Sequence, residues 1–132
     1  MRILFSLFLV LVFLGGCKKE SDLEAPRTLQ AQILGRTWLE SREEETAGSD
    51  VKVFRPEGYA FPVSWARDGF RFDAGNVFTA CGPSPIDGVD TDPGRWLTIG
   101  PNKFRITPNT HAAPYTLELV SLENDVLRVK VK

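Results

Sequence analysis

The stretch YTLELVSLENDVLRVKV, residues 115–131, decides the fold. After the polar trio END at 123–125, Leu127, Val129 and Val131 alternate with Arg128, Lys130 and Lys132. A period of two puts the apolar set on one face of an extended strand and the cations on the other. Two such runs around a short polar turn read as a β-hairpin.

The same pattern extends upstream. KFRIT (103–107) follows the turn GPN and carries Phe104 and Ile106 in one phase. RWLTI (95–99), VFTAC (77–81), GFRFD (69–73), VKVFRP (51–56) and RTWLESREEE (36–45) complete a set of eight short strands. Phe70 and Phe72 share a face, with Arg71 opposite. Residues 82–94, GPSPIDGVDTDPG, are rich in Gly, Pro and Asp and predict a loop. PRTLQAQILG (26–35) predicts one short helix, with Pro26 suited to its first turn, Gly35 just past its end, and Leu29 and Ile33 on one face. The expected fold is all-β: a small up-and-down antiparallel β-barrel of about eight strands behind a short N-terminal helix. Consecutive hairpins favour the barrel over a sandwich, because each strand can pair with the next.

The first residues are of another kind. Met1-Arg2 precedes twelve residues, ILFSLFLVLVFL, with one serine as their only polar member. As a helix they span about 18 Å, against about 30 Å of bilayer hydrocarbon. Residues 1–16 therefore read as a signal peptide and not a membrane span. Leu14-Gly15-Gly16-Cys17 resembles the lipobox of bacterial lipoproteins. The resemblance implies cleavage before Cys17, a diacylglyceryl group on its thiol and an acylated amino terminus. One acyl chain holds a protein to a membrane only marginally, and more than one holds it stably. Residues 17–25 become the lipidated cysteine and a polar tether, and 26–132 the barrel domain. Lys18 stands where inner-membrane retention in that family typically uses Asp, which implies the outer membrane. KKESD (18–22) is similar to the surface-export signal of Bacteroidota lipoproteins, and the simpler reading is a solvated, charged tether.

The remaining chemistry is sparse. With Cys17 lipidated, Cys81 has no intramolecular partner, and it reads as a small half-buried apolar residue. A net charge of −1 gives no basic face for nucleic acid. His111 is the only histidine and sits in a Pro-rich stretch, so a histidine-based metal site is excluded and no HExxH or CxxC occurs. Asp87, Asp90 and Asp92 lack the spacing and distal Glu of a calcium loop. The chain is expected to be a non-enzyme without metal or cofactor.

LGRTWLES (34–41), residues 43–72, the Gly-Arg-Trp strand at 94–96 and the closing hairpin resemble small lipocalin-like lipoproteins of Bacteroidota. Two residues separate Gly35 from Trp38, where the vertebrate lipocalin signature has one. The resemblance implies a calycin-like barrel with Trp38 plugging its closed end. It also implies an Arg stacked on Trp38. Arg128 is the candidate by position, yet its alternation with Leu127 and Val129 sets it outside the wall.

An eight-stranded barrel either fills with side chains or holds one small ligand. Trp38, Phe54, Phe70, Phe72, Phe78, Trp96, Phe104 and Tyr115 supply many large fillers. In residues 55–69, Tyr59, Phe61 and Trp65 form either a lid or a simple cover for the core. Two functions remain open. One is a lipid-anchored binding protein for a small apolar ligand in the barrel mouth, with candidate residues Trp38, Tyr59, Trp65, Arg67, Phe70, Phe72 and Trp96, and with Arg55, Arg67 or Arg71 meeting a carboxylate. The other is an envelope interaction module with a filled barrel and no ligand.

Overall fold

Alternating side chains along eight strands close one sheet on itself. A computed structural model describes residues 28–84 and 89–132. Residues 1–16, expected to be a signal peptide, Cys17 with the expected tether, Pro26 and Asp87 lie outside the described residues.

The helix α1 (Leu29–Ile33) is short because its ends are marked. The Thr28 hydroxyl accepts from the Ala31 amide at 3.2 Å, and Gly35 at φ +71° turns the chain away. Ile33 is fully buried against the barrel. The strands are β1 (Thr37–Glu40), β2 (Val51–Pro56), β3 (Gly69–Asp73), β4 (Val77–Pro83), β5 (Val89–Gly100), β6 (Lys103–Thr107), β7 (Tyr115–Glu123) and β8 (Val126–Val131). A 3₁₀ turn, Arg42–Glu44, joins the first two. In the β7–β8 hairpin, Glu123 pairs with Val126. Its two turn residues, Asn124 and Asp125, sit at φ 51° and 58°. Two left-handed residues make the primed turn whose twist suits a hairpin.

The order around the closed barrel is β1-β2-β8-β7-β6-β5-β4-β3. From β3 to β8 each strand pairs with the next. At the seam the order changes: β1 pairs with both β2 and β3, and β2 closes onto β8. β2 and β3 are both antiparallel to β1, hence parallel to each other. Parallel strands need a crossover rather than a hairpin. Residues 57–68 make that crossover past β1, with the Glu57 amide donating to the Thr37 carbonyl and the Glu40 amide donating to the Asp68 carbonyl.

The 82–94 stretch corrects the sequence reading. Much of it is strand: β4 runs to Pro83 and β5 starts at Val89, with Gly82 opposite Asp90 and Gly94 opposite Phe78. A Cβ on Gly94 would lie 2.5 Å from the Thr107 carbonyl oxygen. Gly94 thus marks a close approach of two strands, the other use of glycine in a sheet.

The interior is filled. Trp38, Phe70, Phe72, Phe78, Phe104, Ile106, Leu117, Leu127 and Val129 are all buried. Phe72 is their hub, with ring centroids 5.0 Å from Phe78, 5.2 Å from Phe104 and 5.7 Å from both Phe70 and Trp96. These are ordinary distances for packed aromatic pairs. Trp38 closes one end, and its indole N–H donates to the Ile33 carbonyl at 3.3 Å. Arg36, not a late-strand arginine, lies over that ring at 4.9 Å. Arg128 is exposed, as its alternation predicts.

Candidate functional site

The seven predicted ligand residues separate into two groups. Trp38, Phe70, Phe72 and Trp96 belong to the buried core, where Phe72 packs against Phe70 and Trp96, and Phe70 also lines a small hollow at the barrel mouth. Tyr59, Trp65 and Arg67 lie on the crossover, outside the barrel. At the open mouth the barrel keeps two small hollows of about 210 and 120 Å³ that meet at Phe78 and Tyr115. Their rim carries Glu40, which is buried and bonded to Lys52 and Arg42. Burial pushes the Glu40 carboxyl up, but the two cations together hold it below its ordinary range.

The crossover is fastened to the wall at two points. Arg67 is buried. Its guanidinium donates to both Glu43 carboxylate oxygens at 2.9 and 2.6 Å, to the Glu40 carbonyl at 2.9 Å and to the Pro62 carbonyl at 3.3 Å. It also lies over the Phe61 ring at 4.4 Å. Arg55 donates to the two Glu44 oxygens at 2.8 and 2.5 Å and covers Tyr59 at 4.5 Å. Tyr59 meets Phe61 edge to face at 5.0 Å, joining the two fastenings. The arginine hydrogen bonds hold Glu43 and Glu44 each at about 2. Arg55 and Arg67 are therefore structural clamps, with their donors committed to protein oxygens.

Between crossover and wall lies a cleft of about 570 Å³. Its floor comes from outward positions of neighbouring strands: Leu39 on β1, Arg71 on β3, Thr79 and Cys81 on β4 and Thr91 on β5. The register sets Leu39, Gly69 and Cys81 in one row. Gly69 leaves that row without a side chain, because a Cβ there would fall 2.3 Å from the Trp38 carbonyl oxygen and 3.0 Å from the Cys81 sulfur. The roof is Phe61, Pro62, Val63, Trp65 and Ala66. Trp65 is 91% exposed and Val63 fully exposed, so apolar surface stands free at the lip. Burial pushes the Cys81 thiol up, with Glu57 and Asp68 adding to the shift, so it sits in the cleft as a neutral apolar group.

Arg71 borders both this cleft and a wider, more polar hollow of about 760 Å³ that also holds Arg36, Arg55, Glu57 and Asp125. Its Nε donates to Asp73 at 2.8 Å. Of the three arginines expected to meet an anion, Arg71 alone keeps its terminal nitrogens clear of any carboxylate among the described residues.

Sequence reading placed the aromatic loop but missed the floor. Leu39, Thr79 and Cys81 lie in the outward phase of their strands, and an apolar or small residue in that phase was the available signal. No group of His, Cys, Asp and Glu suited to a metal occurs among the described residues. His111 is exposed. No protein-family model, curated protein or solved structure matches the chain.

Proposed function

We propose that this chain is a lipid-anchored envelope lipoprotein with a lipocalin-like barrel. It binds a small apolar ligand outside the barrel, in the cleft beneath the crossover. The carrying observation is the contrast between a filled interior and an apolar cleft of about 570 Å³, a size ordinary for small-molecule sites. Trp65 and Phe61 supply ring faces, Leu39 and Cys81 the apolar floor, and Arg71 a charged edge. The anchor is Cys17, in the outer membrane, and the protein carries out no catalysis. Native mass spectrometry of the protein from its own cells tests this reading. A co-purified small molecule lost in Thr91→Trp, which fills the cleft, supports it. Wild type recovered with no co-purified molecule, or with one that Thr91→Trp retains, counts against it. The filled core also favours a second reading, an interaction module whose exposed Trp65 docks a protein partner.

A further inference from the structure

We infer that the outer wall of β5 and β6 is a membrane-contact surface that lays the barrel on the anionic bilayer holding its anchor. The inference rests on the lipid-anchor reading, and it concerns residues that do not line the cleft.

This wall has an unusual composition. Arg95 and Leu97 point outward from β5, opposite Trp96, and Lys103 and Arg105 point outward from β6, opposite Phe104 and Ile106. Two β-bulges add to it. The register slips between Thr98 and Gly100, leaving Ile99 unpaired, and again between Leu119 and Ser121, leaving Val120 unpaired. Bulges re-aim side chains, and here both expose an aliphatic one. Leu97, Ile99 and Val120 are 58%, 51% and 44% exposed. The Leu119 amide donates to the Asn102 carbonyl at 2.8 Å, which sets Val120 beside the β5–β6 turn and Ile99.

Cations outnumber acids on the wall, where Glu118 of β7 stands opposite Lys103. Asp90 and Asp92 fall in the inward phase of β5, with Trp96. Arg95 and Arg105 have no carboxylate partner among the described residues. The nearest acid, Glu118 on β7, lies 3.9 Å from Lys103 and 3.7 Å from Lys132. Cations set among exposed aliphatics, here Arg95, Arg105 and Lys103 with Leu97, Ile99 and Val120, suit a surface that meets anionic lipid headgroups. Protein interfaces favour Tyr, Trp and Phe together with Arg, and this wall offers arginine without an exposed aromatic.

The position of the wall agrees. α1 packs against β7, the strand that carries Val120. Cys17 is eleven residues before Thr28. Those residues span at most about 40 Å when fully extended, so the anchor holds the domain within reach of the surface. Each cation brought near an anionic leaflet strengthens association by roughly five-fold, and the two arginines without a carboxylate partner bias the orientation once the anchor removes the cost of encounter.

Amine acylation of the full-length lipidated protein tests this. Lys103 and Lys52 have similarly exposed side chains, 47% and 48%, and each is compared with itself between vesicles. Lys103 is on the wall and Lys52 at the barrel mouth. In vesicles of one part phosphatidylglycerol to three parts phosphatidylcholine, Lys103 is expected to acylate at least about five-fold more slowly than in pure phosphatidylcholine. Lys52 keeps its rate, and Arg95→Glu with Arg105→Glu removes the difference. Equal Lys103 rates in both vesicles overturn the inference. So does protection that follows protein concentration rather than lipid charge, which would mark a second copy or a partner. If the mass of the N-terminal peptide shows no lipid, the anchor reading fails by itself. The wall is then read by co-sedimenting the unlipidated chain with the same vesicles. Charge-dependent binding lost in the double variant supports it, and no binding overturns it.

Discussion

Arg67 holds Glu43 through two parallel N–H···O contacts at 2.9 and 2.6 Å while also donating to the Glu40 carbonyl. One side chain thus ties the crossover to the β1–β2 connection and sets the roof of the cleft. Replacing it with methionine keeps the apolar stem over Phe61 and removes every donor. The buried Glu40 carbonyl loses this partner, at a cost of about 1–3 kcal/mol. Arg67→Met is expected to lower the thermal midpoint and to open residues 57–67 to limited proteolysis, while the barrel strands stay protected.

The same clamps make stability depend on pH. Glu43 and Glu44 sit at about 2 in the folded chain, below the ordinary value of 4.5. The unfolded chain therefore binds more protons through the window between these values. Their stabilisation is complete above pH 4.5 and is lost as pH falls toward 2. Denaturant titrations across that window should show stability falling, less steeply in 0.5 M salt because both pairs are partly exposed. Glu43→Gln with Glu44→Gln should flatten the profile. A slope unchanged in that variant would place the titrating groups elsewhere.

At the closed end, Arg36 covers the Trp38 ring and pairs with Asp125 at 3.1 Å. Arg36→Met is expected to cost about 0.5–1 kcal/mol, the range for an exposed cation over a ring. Arg128→Met, at the position the family resemblance pointed to, should change stability by no more than about 0.5 kcal/mol. Paired urea melts check the order.

Gly69 is fixed by close approach and not by its backbone angles. An added methyl would fall 2.3 Å from the Trp38 carbonyl oxygen, so β1 and β3 must part to admit it. Gly69→Ala should destabilise by about 1–3 kcal/mol, as over-packing does. Amide exchange at Thr37 to Leu39 should speed up before exchange in β7 and β8.

The strands were legible because most alternate cleanly, as in Leu127, Val129 and Val131 against Arg128 and Lys130. Two features were not. Glycine and proline at 82–94 signal a turn in isolation, but Gly94 serves the contact of β5 with β6, which only the paired sheet reveals. The crossover was hidden because periodicity says which face a residue takes and not which strand it pairs with. A twelve-residue link between β2 and β3, too long for a tight hairpin, was the one available clue. The site shared that fate. Its roof, with Phe61 and Trp65, showed as an apolar loop, whereas its floor of Leu39, Thr79 and Cys81 exists only once β1, β3 and β4 lie side by side.

Cys81 offers a direct report on the cleft. Burial holds its thiol above the ordinary range, and alkylation proceeds through the thiolate. Iodoacetamide should modify Cys81 more slowly than a free thiol at pH 8, with a rate that climbs at higher pH. An apolar ligand in the cleft should slow it further, and peptide mapping separates the signal from Cys17. Reaction at the rate of free cysteine, with or without ligand, would contradict the position of Cys81 in the floor.

The most direct test of the central claim is titration of the full-length protein with 1-anilinonaphthalene-8-sulfonate, an apolar anion, in wild type and Thr91→Trp. Thr91 is exposed and faces the cleft, so the indole fills the site on a strand position that favours aromatics. Affinity should fall by roughly ten-fold or more, the loss that follows from displacing about 1.4 kcal/mol of contact, with the thermal midpoint unchanged. Equal affinity in the two proteins would contradict the account and place the probe away from the cleft.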